Sequence, residues 1–151
     1  MLYNWVLFRL SEVYLNYAEA LNEYSPGNPD IAKYVNLVRS RGSGVVATSP
    51  VSMPPLPNGL SQLDMRARIR NERKVELAFE DHRYWDLRRW MDETNLKADV
   101  LGVNITGTTR NTFAHSKIKV EGRFFNAKMY LYPIAYTELT VARGLVQNPL
   151  W

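Results

Sequence analysis

Apolar residues recur at helical spacing over two adjoining stretches near the start of the chain. Leu10, Val13, Tyr14, Tyr17, Ala18 and Leu21 fall at i, i+3, i+4, i+7, i+8 and i+11, one face of a 3.6-residue repeat. Glu12, Asn16, Glu19 and Glu23 fall largely elsewhere, and Pro26-Gly27 then breaks the chain. Asn28 is placed to cap a second helix, with Pro29 at its first position and Asp30 in its first turn. Ile31, Tyr34, Val35 and Val38 supply its apolar face. Arg39 and Arg41 suit the negative end of its dipole, and Gly42 can end it. The pattern predicts an antiparallel helical hairpin of tetratricopeptide type over residues 1–41. Such units repeat at about 34 residues. No repeat follows here, so the hairpin is expected to dock on something else.

Residues 42–60 read as a loop, with Pro50, Pro54, Pro55 and Pro57 among Gly and Ser. Ser61 opens a third helix, with Asp64 three residues on as a weaker capping box. Met65, Ile69, Val75, Ala78 and Phe79 are its expected apolar contacts. A break near Asp81-His82 separates it from a short helix ending near Trp90 or Met91, and residues 61–93 form one charged helical region. Beyond it, residues 94–151 hold a loop, a small β element and a closing segment. Val100 to Thr112, rich in Gly, Asn and Thr, reads as loop. Lys117–Glu121 and Lys128–Tyr132 alternate like strands, and Pro133 ends the second. Thr137 to Thr140 suits a turn of helix. The end is extended, with Trp151 expected to plug an apolar pocket. The fold class is thus mainly α with a minor β part, in a single domain over residues 1–151.

Charge concentrates between Arg66 and Trp90. Arg66, Arg68, Arg70, Arg73, Arg83, Arg88 and Arg89 face Glu72, Glu76, Glu80, Asp81 and Asp86, with Tyr84, Trp85 and Trp90 among them. Glu72, Glu76 and Glu80 fall at i, i+4 and i+8. Three carboxylates on one ridge repel by a few tenths of a kcal/mol per pair, so cations must lie between or opposite. Arg68, Arg73 and Arg83 reach the ridge at helical spacing. The expectation is a helix whose ionic groups are buried braces around Phe79 and Trp85.

Glu72 to Trp90, reading ERKVELAFEDHRYWDLRRW, resembles the signature of the SusD/RagB family. Arg9 to Glu23 is similar to that family's first C-terminal helix, and Tyr130 to Trp151 to its closing segment. The three occur in the family's order and span nearly the whole chain. Asp81 replaces the family's usual glycine before the histidine, which touches only the local turn. The resemblance implies a lipid-anchored protein on the outer membrane of Bacteroidetes that binds glycans or other nutrients. It implies a lid over a TonB-dependent barrel transporter and no chemistry. Members are much longer, so the chain is expected to be a C-terminal portion whose signal and lipid-bearing cysteine lie upstream.

Composition narrows the alternatives. The net charge of +4 is mild and its arginines alternate with acids, which argues against a nucleic-acid face or a polybasic membrane patch. With no cysteine there is no disulfide, thiolate chemistry or cysteine-held zinc. His82 and His115, far apart, make a poor zinc site. No run of about 18 apolar residues spans a bilayer. Neighbouring carboxylates of the Glu72–Glu76–Glu80 row could meet the spacing of a glycosidase pair. Arginine partners depress carboxyl pKa values, though, and a general acid needs a raised one.

The chain is therefore read as no enzyme, with no catalytic residue, no metal and no cofactor. Eighteen aromatics could stack on sugars. Core packing is the better reading for Tyr14, Tyr17, Phe79 and Trp85, and a weaker one for Tyr24, Tyr34 and Tyr136. No motif identifies a ligand contact, so the ligand-binding residues are unknown. The reading is non-catalytic nutrient capture with a barrel transporter as partner. The alternative is a helical-hairpin module binding protein or peptide, with no sugar ligand.

Overall fold

Leu10–Tyr24 forms helix α1 and Pro29–Arg41 forms helix α2, joined through a turn at Pro26-Gly27. The amide of Asp30 donates to the Asn28 side chain at 3.0 Å, so the expected cap is in place. In this computed structural model the described residues are 7–41 and 53–151. The expected loop at 42–60 therefore lies partly outside them. Its described end, from Met53, is pinned to α2. The Leu56 amide donates to the Asn36 side chain at 2.9 Å, and Leu56 is buried.

Gln62–Glu76 forms helix α3, capped as expected. The Ser61 hydroxyl accepts from the Asp64 amide at 3.1 Å and donates to its carboxylate at 2.6 Å. α1 contacts both α2 and α3, so the hairpin docks on α3. Leu15, Ala18, Ile31, Val35, Val38, Leu56 and Ile69 make the shared core, edged by Tyr14, Leu21 and Met65.

The buried side of α1 differs from the one expected. It runs through Ser11, Leu15, Ala18 and Asn22, while Leu10, Val13 and Tyr17 are exposed. The reason is that two polar residues are buried in bonded form. Asn22 donates to the Gln62 carbonyl at 3.2 Å and its own carbonyl accepts from the Gln62 side chain at 3.0 Å; Ser11 accepts from Arg9. A buried polar group is tolerated when so paired.

α3 also stops short of its expected end. Val75, Ala78 and Phe79 are exposed, and Leu77, just past the last turn, is buried instead. The expected break follows, and His82–Arg89 forms helix α4.

The residues group into two compact units, Met1–Arg83 and Tyr84–Trp151, divided within α4. In the second unit, Glu93–Lys97 forms helix α5, started by the Asp92 side chain accepting from the Asn95 amide at 3.1 Å. Leu87, Leu96 and Phe125 form its buried cluster, flanked by Trp90, Met129 and Tyr130.

Val100–Thr106 is strand β1 and pairs antiparallel with strand β2, Ala114–Glu121. The loop expected at Val100 to Thr112 is thus half strand. Gly102 is part of the ladder rather than of a loop. It sits opposite Ile118, and a Cβ there would lie 2.7 Å from a Val120 methyl. A glycine inside a strand can mark such close approach.

Lys128–Tyr132 is not the second strand. Ala127–Tyr130 is a 3-10 turn, capped by the Asn126 side chain, which accepts from the Lys128 amide at 3.4 Å. Local bonds of this kind compete with a ladder. Tyr136–Val141 forms helix α6, a little longer than expected. Trp151 is 45% exposed rather than plugged into a pocket; its indole N–H donates to the carbonyls of Lys128 at 2.9 Å and Leu131 at 3.1 Å.

Candidate functional site

Two side-chain clusters stand out, one in each unit, and both are built around arginine. In the first unit Arg9 immediately precedes α1 and spans to the end of α3. Its Nε donates to the Glu80 carboxylate at 2.9 and 3.1 Å and its Nη2 at 2.7 Å. It also bonds the Glu76 side chain and main-chain carbonyl, and Arg41 reaches the same Glu76 oxygen from the end of α2. Arg39 donates to Glu72 at 2.7 Å and to the Pro54 carbonyl at 2.8 and 3.0 Å. Arg73, buried in α3, bonds Asn16 and lies 3.7 Å from Glu19, both on α1. These groups are cross-braces between separated stretches of backbone, as expected, but of this set only Glu72 and Arg73 are buried, while the Arg41 side chain is 60% exposed and that of Glu80 38%.

The braces come from different residues than the spacing suggested. α3 ends at Glu76, so Glu80 is not on its ridge but beyond the turn. Arg9, Arg39 and Arg41 meet these carboxylates, cations that the helical spacing did not suggest, while Arg73 reaches toward Glu19 on α1. Sequence could not single out Arg9, which is 71 residues from Glu80.

The electrostatics follow from the pairing. The hydrogen bond from Arg9 holds the Glu80 carboxyl below the usual carboxylate range, and the same bond makes Arg9 harder to deprotonate. A general acid requires the opposite shift, so Glu80 does not resemble one.

The turn between α3 and α4 carries strain. Phe79 has φ +66° and Asp81 φ +62°, both left-handed. Asp81 is the position where the resemblance leads one to expect glycine. Aspartate tolerates this region better than bulkier residues, and glycine is free of the steric cost. Asp81→Gly is expected to change stability by no more than about 0.5 kcal/mol, whereas Asp81→Val should cost about 1–2 kcal/mol. Urea denaturation would measure both, and an equal loss in the two variants would contradict a conformational origin.

In the second unit Arg88 is 6% exposed and lies under three aromatic rings. Its guanidinium carbon is 4.3 Å from the Tyr132 ring centroid, 5.1 Å from that of Tyr84 and 5.3 Å from that of Trp85. It donates to the Tyr130 carbonyl at 2.6 and 3.1 Å and to the Tyr84 hydroxyl at 2.9 Å. The Tyr84 and Tyr132 hydroxyls approach to 3.5 Å, which pushes the Tyr84 phenol up and the Tyr132 phenol down. Trp85 packs edge-on against both tyrosines.

These rings are 44–56% exposed, so Trp85 is not the core residue that its helical spacing suggested. Phe79 and Tyr17, expected in the core as well, are also exposed, and Phe79 wholly so. Tyr14, expected in the core, is half-buried at its edge, and its ring is tilted against that of Tyr34 with centroids 5.0 Å apart. Tyr24 and Tyr136 are open to solvent. The ionic groups therefore provide the braces around Phe79 and Trp85, but the two aromatics do not provide the core.

His82 starts α4 and lies 3.6 Å from a Glu12 oxygen; His115 is on β2. Among the described residues no group of three His, Cys, Asp or Glu could hold a metal ion. No helix among them is long and apolar enough to cross a membrane. A concavity of about 510 Å³ opens in the first unit, lined by Leu7, Phe8, Arg9, Phe79, Glu80, Asp81 and His82.

Comparison with known proteins gives a consistent result. The model of the SusD family matches residues 2–151. SusD-like protein P2 of Formosa agariphila is 35% identical over 150 residues, covering 96% of this chain and 25% of that protein. SusD-like protein P25 of the same organism is 40% identical over 87 residues, covering 58% of this chain and 15% of that protein. The fold is similar to the crystal structure of a SusD-like protein from Bacteroides fragilis, with TM-score 0.79, 30% identity and coverage of 98% of this chain and 26% of that one. A SusD homolog from Bacteroides thetaiotaomicron gives TM-score 0.68 and 29% identity, with coverage of 97% and 27%. The chain thus spans about a quarter or less of the length of these relatives.

Proposed function

Because the chain belongs to the SusD family, we propose that it is the C-terminal part of a longer surface protein that binds glycan or another nutrient without transforming it. The bound nutrient passes to a TonB-dependent outer-membrane transporter. The observation that carries this reading is the family match across residues 2–151, supported by the same fold in a SusD-like protein at TM-score 0.79. The site chemistry agrees with it. The carboxylates most suggestive of catalysis are engaged by Arg9, Arg39 and Arg41, an arrangement that supports scaffold rather than proton transfer.

The reading as a peptide-binding helical hairpin is weaker. α3 packs against α1, and its Ile69 and Met65 join the core of the hairpin, so that apolar face is already covered.

The test uses the family-length protein on a glycan array, followed by calorimetry on the best ligand and incubation with the corresponding polysaccharide. Binding with no new reducing ends is expected. Release of sugar fragments would overturn the non-catalytic reading, and a response to peptides alone would overturn nutrient capture.

A further inference from the structure

We propose that the aromatic cluster over Arg88 binds an acidic sugar, a uronic acid residue of a glycan. One face of the sugar lies on Trp85 and Tyr132, and its carboxylate meets the phenol pair of Tyr84 and Tyr132. The proposal rests on the reading of the protein as a glycan binder and names the class of glycan. All three rings belong to the second unit and are about half exposed. Large exposed aromatics gathered on one surface mark a contact site.

The rings are held in place before any ligand arrives. Trp85 meets Tyr84 and Tyr132 edge-on, with centroids 5.3 and 5.9 Å apart, and Arg88 ties Tyr84 to the Tyr130 carbonyl from beneath. A platform fixed in this way needs little ordering on binding.

Charge selects the ligand. Arg88 is buried, and its partners are a carbonyl, a hydroxyl and three rings, none of them a carboxylate. Asp86, the acid of α4, lies 3.0 Å from Arg89 instead. A cation under the rings with no counter-charge repels the ammonium guests that aromatic cages otherwise take, and it favours an anion. The phenols add a donor. The Tyr84 hydroxyl accepts from Arg88 at 2.9 Å, and the Tyr84 and Tyr132 hydroxyls share one hydrogen bond at 3.5 Å. One phenolic proton of the pair is therefore left without an acceptor among the described residues, and a carboxylate takes such a proton in a charge-assisted bond. A bare anion such as phosphate would leave the ring faces uncovered. A uronic acid covers them with its weakly positive C–H face and supplies the carboxylate as well.

The test is calorimetry on the family-length protein with oligomers of galacturonate, mannuronate and guluronate, each against its carboxyl-reduced counterpart. At least one uronate oligomer is expected to bind about tenfold or more tightly than its neutral form, the scale of one hydrogen bond to a charged group. Trp85→Leu, which keeps apolar bulk without a ring face, should weaken that binding by about tenfold or more. Tyr84→Phe with Tyr132→Phe keeps the rings and should lower the affinity for the uronate to that for its neutral counterpart. The urea midpoint of each variant shows that it is folded.

No uronate preferred over its neutral form, or a preference that survives in both folded variants, would overturn the proposal. Glycan binding elsewhere on the array would then stand. Absence of binding to every glycan on the array would instead remove the reading of the protein as a glycan binder.

Discussion

Replacing Arg88 by alanine is expected to destabilise the second unit by about 2–4 kcal/mol, the joint effect of removing its charge-assisted hydrogen bonds and its cation–π interactions. The guanidinium donates twice to the Tyr130 carbonyl and once to the Tyr84 hydroxyl while lying beneath three rings. Its removal takes both of these donors from the Tyr130 carbonyl and unties α4 from the 3-10 turn at Ala127–Tyr130. Lysine should not restore the loss. An ammonium keeps the charge but has neither the planar fork nor the stacking face that the site uses. Thermal and urea unfolding of Arg88→Ala and Arg88→Lys would measure this. A lysine variant as stable as the parent would show that charge alone holds the cluster and that the ring geometry is incidental.

The second large effect is expected at Arg73. Its side chain is 4% exposed inside α3, bonded to Asn16 and 3.7 Å from a Glu19 side chain that is itself 13% exposed. Arg73→Ala leaves a poorly solvated carboxylate beside a cavity, and breaking such a buried pair costs about 3–5 kcal/mol. The loss should appear as a lower urea midpoint with an unchanged slope, because the folded core would be weakened rather than expanded. The double variant Arg73→Ala, Glu19→Ala should lose less than the sum of the two single variants, since the second change removes the stranded charge. Strict additivity would show that the two residues do not depend on each other and that the Arg73 effect comes from packing of its stem.

Both predictions concern arginines, and the reason lies in how the chain uses them. Arg9, Arg39, Arg73 and Arg88 each connect stretches of backbone far apart in sequence. Arginine suits this because its planar fork satisfies a carboxylate and a carbonyl at once. These four arginines are therefore internal wiring that ties the backbone together.

Local periodicity and capping were readable because they are set by neighbours a few residues apart. The α1–α2 hairpin, the Asn28 and Ser61 caps, the break before His82 and the buried face of α2 all depend on such short spacings. The resemblance carried by Glu72 to Trp90 was readable for the same reason, being a contiguous string. Misreadings arose where a residue's meaning depended on a distant partner. The apolar face expected on α1 leaves out Ser11 and Asn22, which are buried beside their flanking or distant partners Arg9 and Gln62. Gly102 looks like loop until β2 lies across from it. Phe79 and Trp85 look like core from their spacing, and only the folded chain shows them facing outward.

The amino-acid string by itself thus determined the helices, their caps and the family, since each is written in residues close together along the chain. Which cation meets which carboxylate, and which aromatic is left uncovered, was decided only by tertiary structure. Those outcomes depend on Coulomb and packing interactions between residues remote in sequence, as in Arg39 with Glu72, 33 apart, and Arg9 with Glu80, 71 apart. No local spacing encodes such distances.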